Sequence, residues 1–193
     1  MAGLRTDPWP HLVVDDFLPD DVLARARTEV ESEIYEFEIE SRGTGRIEYS
    51  LLRSETLWRA VYTKRTIALL AAAFGAQVSL NRENYLQLRR MNGETPEFPR
   101  HSDYAAGQDT IASFLYLSDG WTADRGGRLN LYVSEASAAP CVAVEPLANR
   151  FVAFATKKAH WHSVERVAGW ERLSVLALWD VGDALEAPTP GRA

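Results

Sequence analysis

The chain has 193 residues, 46% of them hydrophobic and 25% charged, a balance that suits one globular domain with a full core. A formal net charge of −6 supplies no field that would draw in nucleic acid, and no segment reaches the roughly 20 apolar residues that span a bilayer. The single cysteine, Cys141, excludes an internal disulfide and any cysteine-based zinc site, and Met1 to Pro10 lacks the apolar run of a signal peptide, so the expectation is a cytoplasmic protein.

In chain order, His11 to Val14 reads as an early strand. Pro19-Asp20-Asp21 then precedes Val22, Leu23, Ala26 and Val30, apolar positions at helical spacing with acids in the first turn. Ser54 is a capping residue for a second helical region that includes Leu57, Trp58, Val61 and Tyr62. A break is expected near Lys64-Arg65. Ile67 to Phe74 continue the helical pattern until Gly75 stops it. The second half reads as strands: Tyr85–Met91, Ile111–Leu117, Arg128–Tyr132, Cys141–Val144, Arg150–Ala155, Trp161–Val164 and Arg172–Trp179, separated by Gly, Pro, Asn and Asp clusters. Helices followed by many antiparallel strands imply a mainly β fold with buttressing helices (α+β), a two-sheet sandwich or jelly roll. One domain is expected over residues 1–185, with 186–193 a loose tail. Asp124 and Lys157 fall in loops that could form a lid.

Among four histidines, His101 stands two residues before Asp103, so on an extended segment both side chains leave from the same face and can reach one metal. His160 and His162 share a strand face, and either could be a third ligand by geometry. The context, Trp161-His162-Ser163-Val164 after a core-like strand, favours His162. His11 reads as structural. Two imidazoles and a carboxylate can hold Fe(II) by one face and leave the opposite positions open. Arg172 and Ser174 also stand two apart on an extended run. An arginine there can clamp the far carboxylate of a dicarboxylic co-substrate, with a hydroxyl beside it as a further donor. The Tyr116 phenol is another candidate donor to that carboxylate, although a strand tyrosine is more often core.

These segments together resemble the Fe(II)/2-oxoglutarate-dependent dioxygenases, in the prolyl 4-hydroxylase-like branch. The resemblance rests on Pro8 to Leu18, Asn84 to Asp103 with Gly93 at its turn, Phe114 to Trp121 followed by Gly126-Gly127-Arg128-Leu129, Trp161 to Val164, and Arg172-Leu173-Ser174. It implies a double-stranded β-helix fold. It implies Fe(II) on His101, Asp103 and His162, and 2-oxoglutarate held by Arg172, Ser174 and Tyr116. It also implies O2 as co-substrate, with ascorbate as a reductant in vitro. Asp103 implies hydroxylation, because related halogenases lack the carboxylate. Two positions depart from the pattern: Met91 stands where many relatives have tyrosine, and Trp179 comes one residue late, which suggests a bulge or register change there.

The substrate is the least legible part. Arg89, Arg90, Arg100, Lys157 and Lys158 form a basic group around the motifs, either a solvated rim or a means of capturing a substrate carboxylate. Alternation places Gln87, Arg89 and Met91 on one face, as specificity candidates. The expected partner is a small amino-acid-like or natural-product substrate, with peptidyl proline the alternative. A non-enzymatic metal- or ligand-binding jelly roll and a zinc hydrolase are the readings from other classes. Oligomeric state is not legible in the sequence.

Overall fold

Two of the three α-helices among the described residues begin where a side chain can cap them. Ser54 accepts from the backbone N–H of Leu57 to open α2 (Glu55–Val61), and Thr63 accepts from Thr66 to open α3 (Lys64–Phe74). The helical break therefore falls at Tyr62-Thr63, just before the expected Lys64-Arg65, because the Thr63 hydroxyl starts a new helix. Gly75 ends α3 with φ 63°, a left-handed conformation open to glycine. The first helix, α1 (Asp20–Val30), starts at Pro19 with Asp20 and Asp21 in its first turn and buries Leu23, Ala26 and Val30.

The computed structural model describes residues 3–41, 45–81, 85–93 and 96–184. Asn84 and the expected tail at 186–193 lie outside the described residues. The strands are β1 (Gly3–Arg5), β2 (His11–Val14), β3 (Phe37–Ser41), β4 (Gly45–Leu52), β5 (Ala76–Leu80), β6 (Leu86–Met91), β7 (Phe98–His101), β8 (Thr110–Tyr116), β9 (Leu129–Tyr132), β10 (Val142–Val144), β11 (Phe151–Ala155), β12 (Trp161–Val164) and β13 (Arg172–Ala184). They form two sheets. The major one runs β1-β2-β11-β8-β13-β6-β4-β3, with β5 also on β13, and the minor one runs β10-β9-β12-β7. Every pairing is antiparallel.

Alternation along the major sheet separates two cores. Leu12, Leu86, Leu88, Leu115, Phe151, Val175, Ala177 and Trp179 point toward the helices, where they meet Leu23, Leu57, Val61 and Leu70. Val13, Met91, Phe114, Tyr116, Val152, Phe154 and Leu176 point the other way, onto Phe98, Leu129, Leu131, Val144 and Val164 from the minor sheet. Mainly β layers buttressed by helices are thus the observed fold, a jelly roll of two facing sheets.

No bulge occurs at Trp179. The β13–β8 register is continuous from Ser174↔Tyr116 to Asp180↔Thr110, and irregularity comes only after Val181, against β5. Trp179 is fully buried on the helix side, where its indole N–H donates to Ser113 Oγ at 2.9 Å. The hairpin of β3 and β4 and the short β5 extend the sheet beyond the strands expected from the sequence.

Candidate active site

The minor sheet carries two histidines directly opposite each other, His162 on β12 and His101 on β7. The next partner pair is Val164↔Phe98, so two steps along β12 match three along β7. This bulge matters. Phe98 and His101 are three apart, and plain alternation would send them to opposite faces; the extra residue lets both point between the sheets. Their rings touch edge to face with centroids 4.9 Å apart.

Asp103 follows two residues after His101 and closes the group. Its carboxylate oxygens lie 3.5 Å from His101 Nε2 and 3.3 Å from His162 Nε2. The three ligand atoms lie within 4.8 Å of one another, close enough to share one metal ion. Both imidazoles are preset for that task. His101 Nδ1–H donates to the Pro99 carbonyl at 2.7 Å and His162 Nδ1–H to the His160 carbonyl at 3.0 Å. A carbonyl only accepts, so in the neutral ring the proton stays on Nδ1 and the Nε2 lone pair faces the shared point. Burial pushes the Asp103 carboxyl up, but in the absence of a metal His101 and His162, when protonated and donating from Nε2, outweigh it and hold the group well below the usual carboxylate range.

His160 is excluded from the group by its contacts. Its Nδ1–H donates to the Ala155 carbonyl, and its ring stacks on Trp9 at 4.5 Å. His11 is fully buried and donates from Nδ1 to the Trp9 carbonyl, a structural placement.

The facing strands of the major sheet supply the second half of the site. Arg172 is 4% exposed. Its Nε donates to the Gly127 carbonyl at 3.0 Å and its Nη1 to Ser174 Oγ at 3.2 Å. Among the described residues no carboxylate pairs with it, although a buried charge is costly without an anion. Tyr116 lies beside Ser174 on β8, with the Arg172 guanidinium 4.8 Å from its ring centroid. The Tyr116 hydroxyl is buried and has no hydrogen-bond partner among the described residues. A buried cation without an anion and a buried phenol without a partner are the groups that would receive a ligand carboxylate.

Gly127 is a site residue whose role was not read from the sequence. Its φ is 74°, and a Cβ there would meet Arg172 Cδ at 3.2 Å and Val167 Cγ2 at 3.3 Å. Only glycine lets this carbonyl close onto the guanidinium. The Gly126-Gly127 pair is a visible signal, but nothing in the sequence says which arginine it meets.

Next to the metal group lies a cavity of about 640 Å³. Gln87 and Arg89 of β6 line it, with Ala112, Leu176 and Leu178 as apolar wall and Asp109 and Asp180 toward the rim. Arg89 and Asp103 line both this cavity and the smaller space around His101, His162 and Arg172. Burial lowers the Arg89 pKa, with Asp103 opposing and Arg172 adding to the effect. Met91 is fully buried opposite Arg172 and lines neither space, so of the three specificity candidates only Gln87 and Arg89 reach the cavity.

The basic group does not converge. Arg90 pairs with Glu48, Arg100 lies over the Tyr132 ring and donates to the Ser137 carbonyl, and Lys157 pairs with Asp109. Through Asp109, Lys157 reaches the cavity rim, whereas Asp124 sits in a one-turn 3-10 helix, Ala123–Arg125, and lines neither space.

A family model described as the 2OG-Fe(II) oxygenase superfamily matches residues 86–179, the span from β6 through Trp179 that includes all these groups. Over that span, just under half of its length, the chain is similar to that superfamily. It is a dioxygenase, and the family's chemistry uses Fe(II), 2-oxoglutarate and O2. A prolyl-4-hydroxylase from Pseudomonas putida is similar in structure with 19% identity and a TM-score of 0.67, over 89% of this chain and 91% of that one. A Trichoplax adhaerens prolyl hydroxylase, solved with a hypoxia inducible factor peptide fragment, is 16% identical with a TM-score of 0.71, over 89% and 83%. SnoN, a non-heme alpha ketoglutarate dependent epimerase from nogalamycin biosynthesis, is 18% identical with a TM-score of 0.63, over 88% and 78%. No curated protein sequence matches the chain. No helix among the described residues is long and apolar enough to cross a membrane.

Proposed function

We propose that this oxygenase hydroxylates a small, amino-acid-like or natural-product substrate. In this reading His101, Asp103 and His162 hold Fe(II), and Arg172, Ser174 and Tyr116 hold the distal carboxylate of 2-oxoglutarate. When bound, the metal and co-substrate supply the oxidant by coupling O2 reduction to decarboxylation of 2-oxoglutarate to succinate. One observation carries the assignment. Among the described residues, a buried guanidinium with no carboxylate and a buried phenol with no partner sit side by side, across from a His-Asp-His group.

The chain's own part is positioning. The Pro99 and His160 carbonyls fix the two rings with Nε2 toward the metal point. Gly127 and Ser174 hold the guanidinium in plane for a carboxylate. Leu129, Phe98 and Val164 keep the space around the group dry. Asp103 fills the coordination position that a halide would need, which supports hydroxylation over halogenation. A cavity of about 640 Å³ suits a small ligand.

Incubation with 2-oxoglutarate, O2, added Fe(II) and ascorbate should yield succinate even without the true substrate, through uncoupled turnover. Complete absence of succinate would favour the binding-protein or hydrolase readings. A metabolite screen for a mass gain of about 16 would then find the substrate by oxygen insertion.

A peptidyl-proline substrate is the second reading. Two similar structures are prolyl hydroxylases, and apolar side chains border the cavity wall, where Tyr49 and Leu51 of β4 lie beside Arg89 and Gln87 and Phe37 stacks on Tyr49. Succinate formation stimulated by proline-containing peptides and not by free acids would reverse the order.

A further inference from the structure

We propose that Arg89 receives a carboxylate of the substrate, so that the substrate is an organic acid seated with its carboxylate beside the metal group and its remainder along the large cavity. This deepens the dioxygenase reading and rests on it.

Arg89 differs from four other half-buried arginines. Arg27, Arg90, Arg128 and Arg150 each hold a carboxylate. Arg89 spends Nε and Nη2 on one neutral acceptor, Gln87 Oε1, at 3.0 and 2.9 Å. A guanidinium has five N–H donors, and no carboxylate among the described residues pairs with these. Gln87 is 9% exposed and faces the same cavity, so its amide holds the fork in place without neutralising it. The Phe114 ring, 5.8 Å from the guanidinium carbon, closes one side.

Charge points the same way. With a divalent ion and a dicarboxylate in the site, Asp103 and the co-substrate's two carboxylates balance the ion and Arg172. The charge on Arg89 is left over, in a partly desolvated place where an anion is worth most. Position adds the geometry of reaction. Arg89 and Asp103 are the two residues common to the large cavity and the metal space. A carboxylate on Arg89 therefore leaves a nearby carbon of the same molecule next to the metal. The Leu176–Leu178 wall takes its apolar part, and Asp180 and Asn81 meet a polar end.

The test uses full-length protein loaded with Zn(II), which cannot turn over, and saturated with 2-oxoglutarate. The probes are hexanoate, L-leucine and L-lysine, each against its own primary amide, read by ligand-observed NMR. The expected result is at least a tenfold preference for one acid over its amide, falling to less than twofold in Arg89→Gln. Arg89→Lys, which keeps the charge, should retain part of the preference and guards against a folding defect in the first variant. Equal binding of acids and amides to the wild type, no acid binding at all, or a preference that survives Arg89→Gln would each overturn the proposal. Calorimetry on the same samples identifies whose carboxylate is held. If 2-oxoglutarate affinity falls as far in Arg89→Gln as in Arg172→Gln, the cation serves the co-substrate and the proposal fails. If 2-oxoglutarate does not bind the wild type, the dioxygenase reading has failed separately, and the acid–amide comparison without it still decides the role of Arg89.

Discussion

Replacing Arg172 by methionine should uncouple stability from co-substrate binding. Methionine roughly conserves volume and removes a buried charge that has no anion in the empty protein. Exchanging buried charge for apolar packing is often neutral or stabilising by about 1–4 kcal/mol. The variant also loses two hydrogen bonds, to Gly127 and Ser174, of about 1 kcal/mol each. The melting temperature of the ligand-free variant should therefore stay within a few degrees of wild type or rise. With the site metal bound and 2-oxoglutarate at about 100 times Kd, the wild type should gain about 2.7 kcal/mol. For a domain of this size that is about 5–11 °C. Losing two charge-assisted hydrogen bonds costs about 3 kcal/mol or more, roughly two powers of ten in Kd. The same 2-oxoglutarate concentration would then add only about 1 °C. Differential scanning fluorimetry with Zn(II), with and without 2-oxoglutarate, reads both quantities. A variant that keeps the full ligand-induced shift would refute the placement of the co-substrate carboxylate at Arg172.

Asp103→Ala should abolish succinate formation and weaken Fe(II) binding, checked by anaerobic metal titration; retained turnover would remove Asp103 from the metal site. Gly127→Ala forces a left-handed residue to carry a Cβ against Arg172 Cδ, and should raise the 2-oxoglutarate KM by about tenfold, from a displacement worth about 1–2 kcal/mol. The alternative is a loss of kcat alone, which would place the strain elsewhere. Burial lowers the pKa of His11, so the unfolded chain binds that proton more readily than the folded one. Stability from this group is full above the unfolded value of about 6.5 and falls as pH drops below it. The slope of melting temperature against pH between about 7 and 5 should flatten in His11→Gln. An unchanged slope would assign the acid sensitivity to other groups.

Much of the site was legible because it uses strand periodicity. Arg172 and Ser174 stand two apart on a regular strand, and the sequence spacing alone puts them on one face. His101 and Asp103 also stand two apart, but the reason they work is partly hidden, since the bulge that turns His101 inward leaves no mark in composition. Face periodicity alone left His160 and His162 equal and sequence context favoured His162; the contacts that claim His160, the Trp9 stack and the Ala155 carbonyl, are visible only in the structure. The β3–β4 hairpin escaped notice although Phe37-Glu38-Ile39-Glu40 alternates, because glutamate, which recurs at Glu38, Glu40 and Glu48, is depleted in strands. Short β5 follows directly on Gly75, with no separate turn to announce it. The basic residues around the motifs are close in sequence, yet strand alternation sends Arg89 and Arg90 to opposite faces, and only the first reaches the cavity.

The two halves of the site belong to different sheets: the histidines to the four-stranded one, the arginine, serine and tyrosine to the larger one. Whatever occupies both halves at once acts as a rivet through the sandwich. Without that occupant, side-chain packing and a few hydrogen bonds, such as Trp9 Nε1–H to the Tyr132 carbonyl, keep the smaller wall seated, so its amides should exchange with solvent sooner than those of β8 and β13. Loading would join both walls into a single opening unit, and the largest slowing of exchange should then appear in β7 and β12.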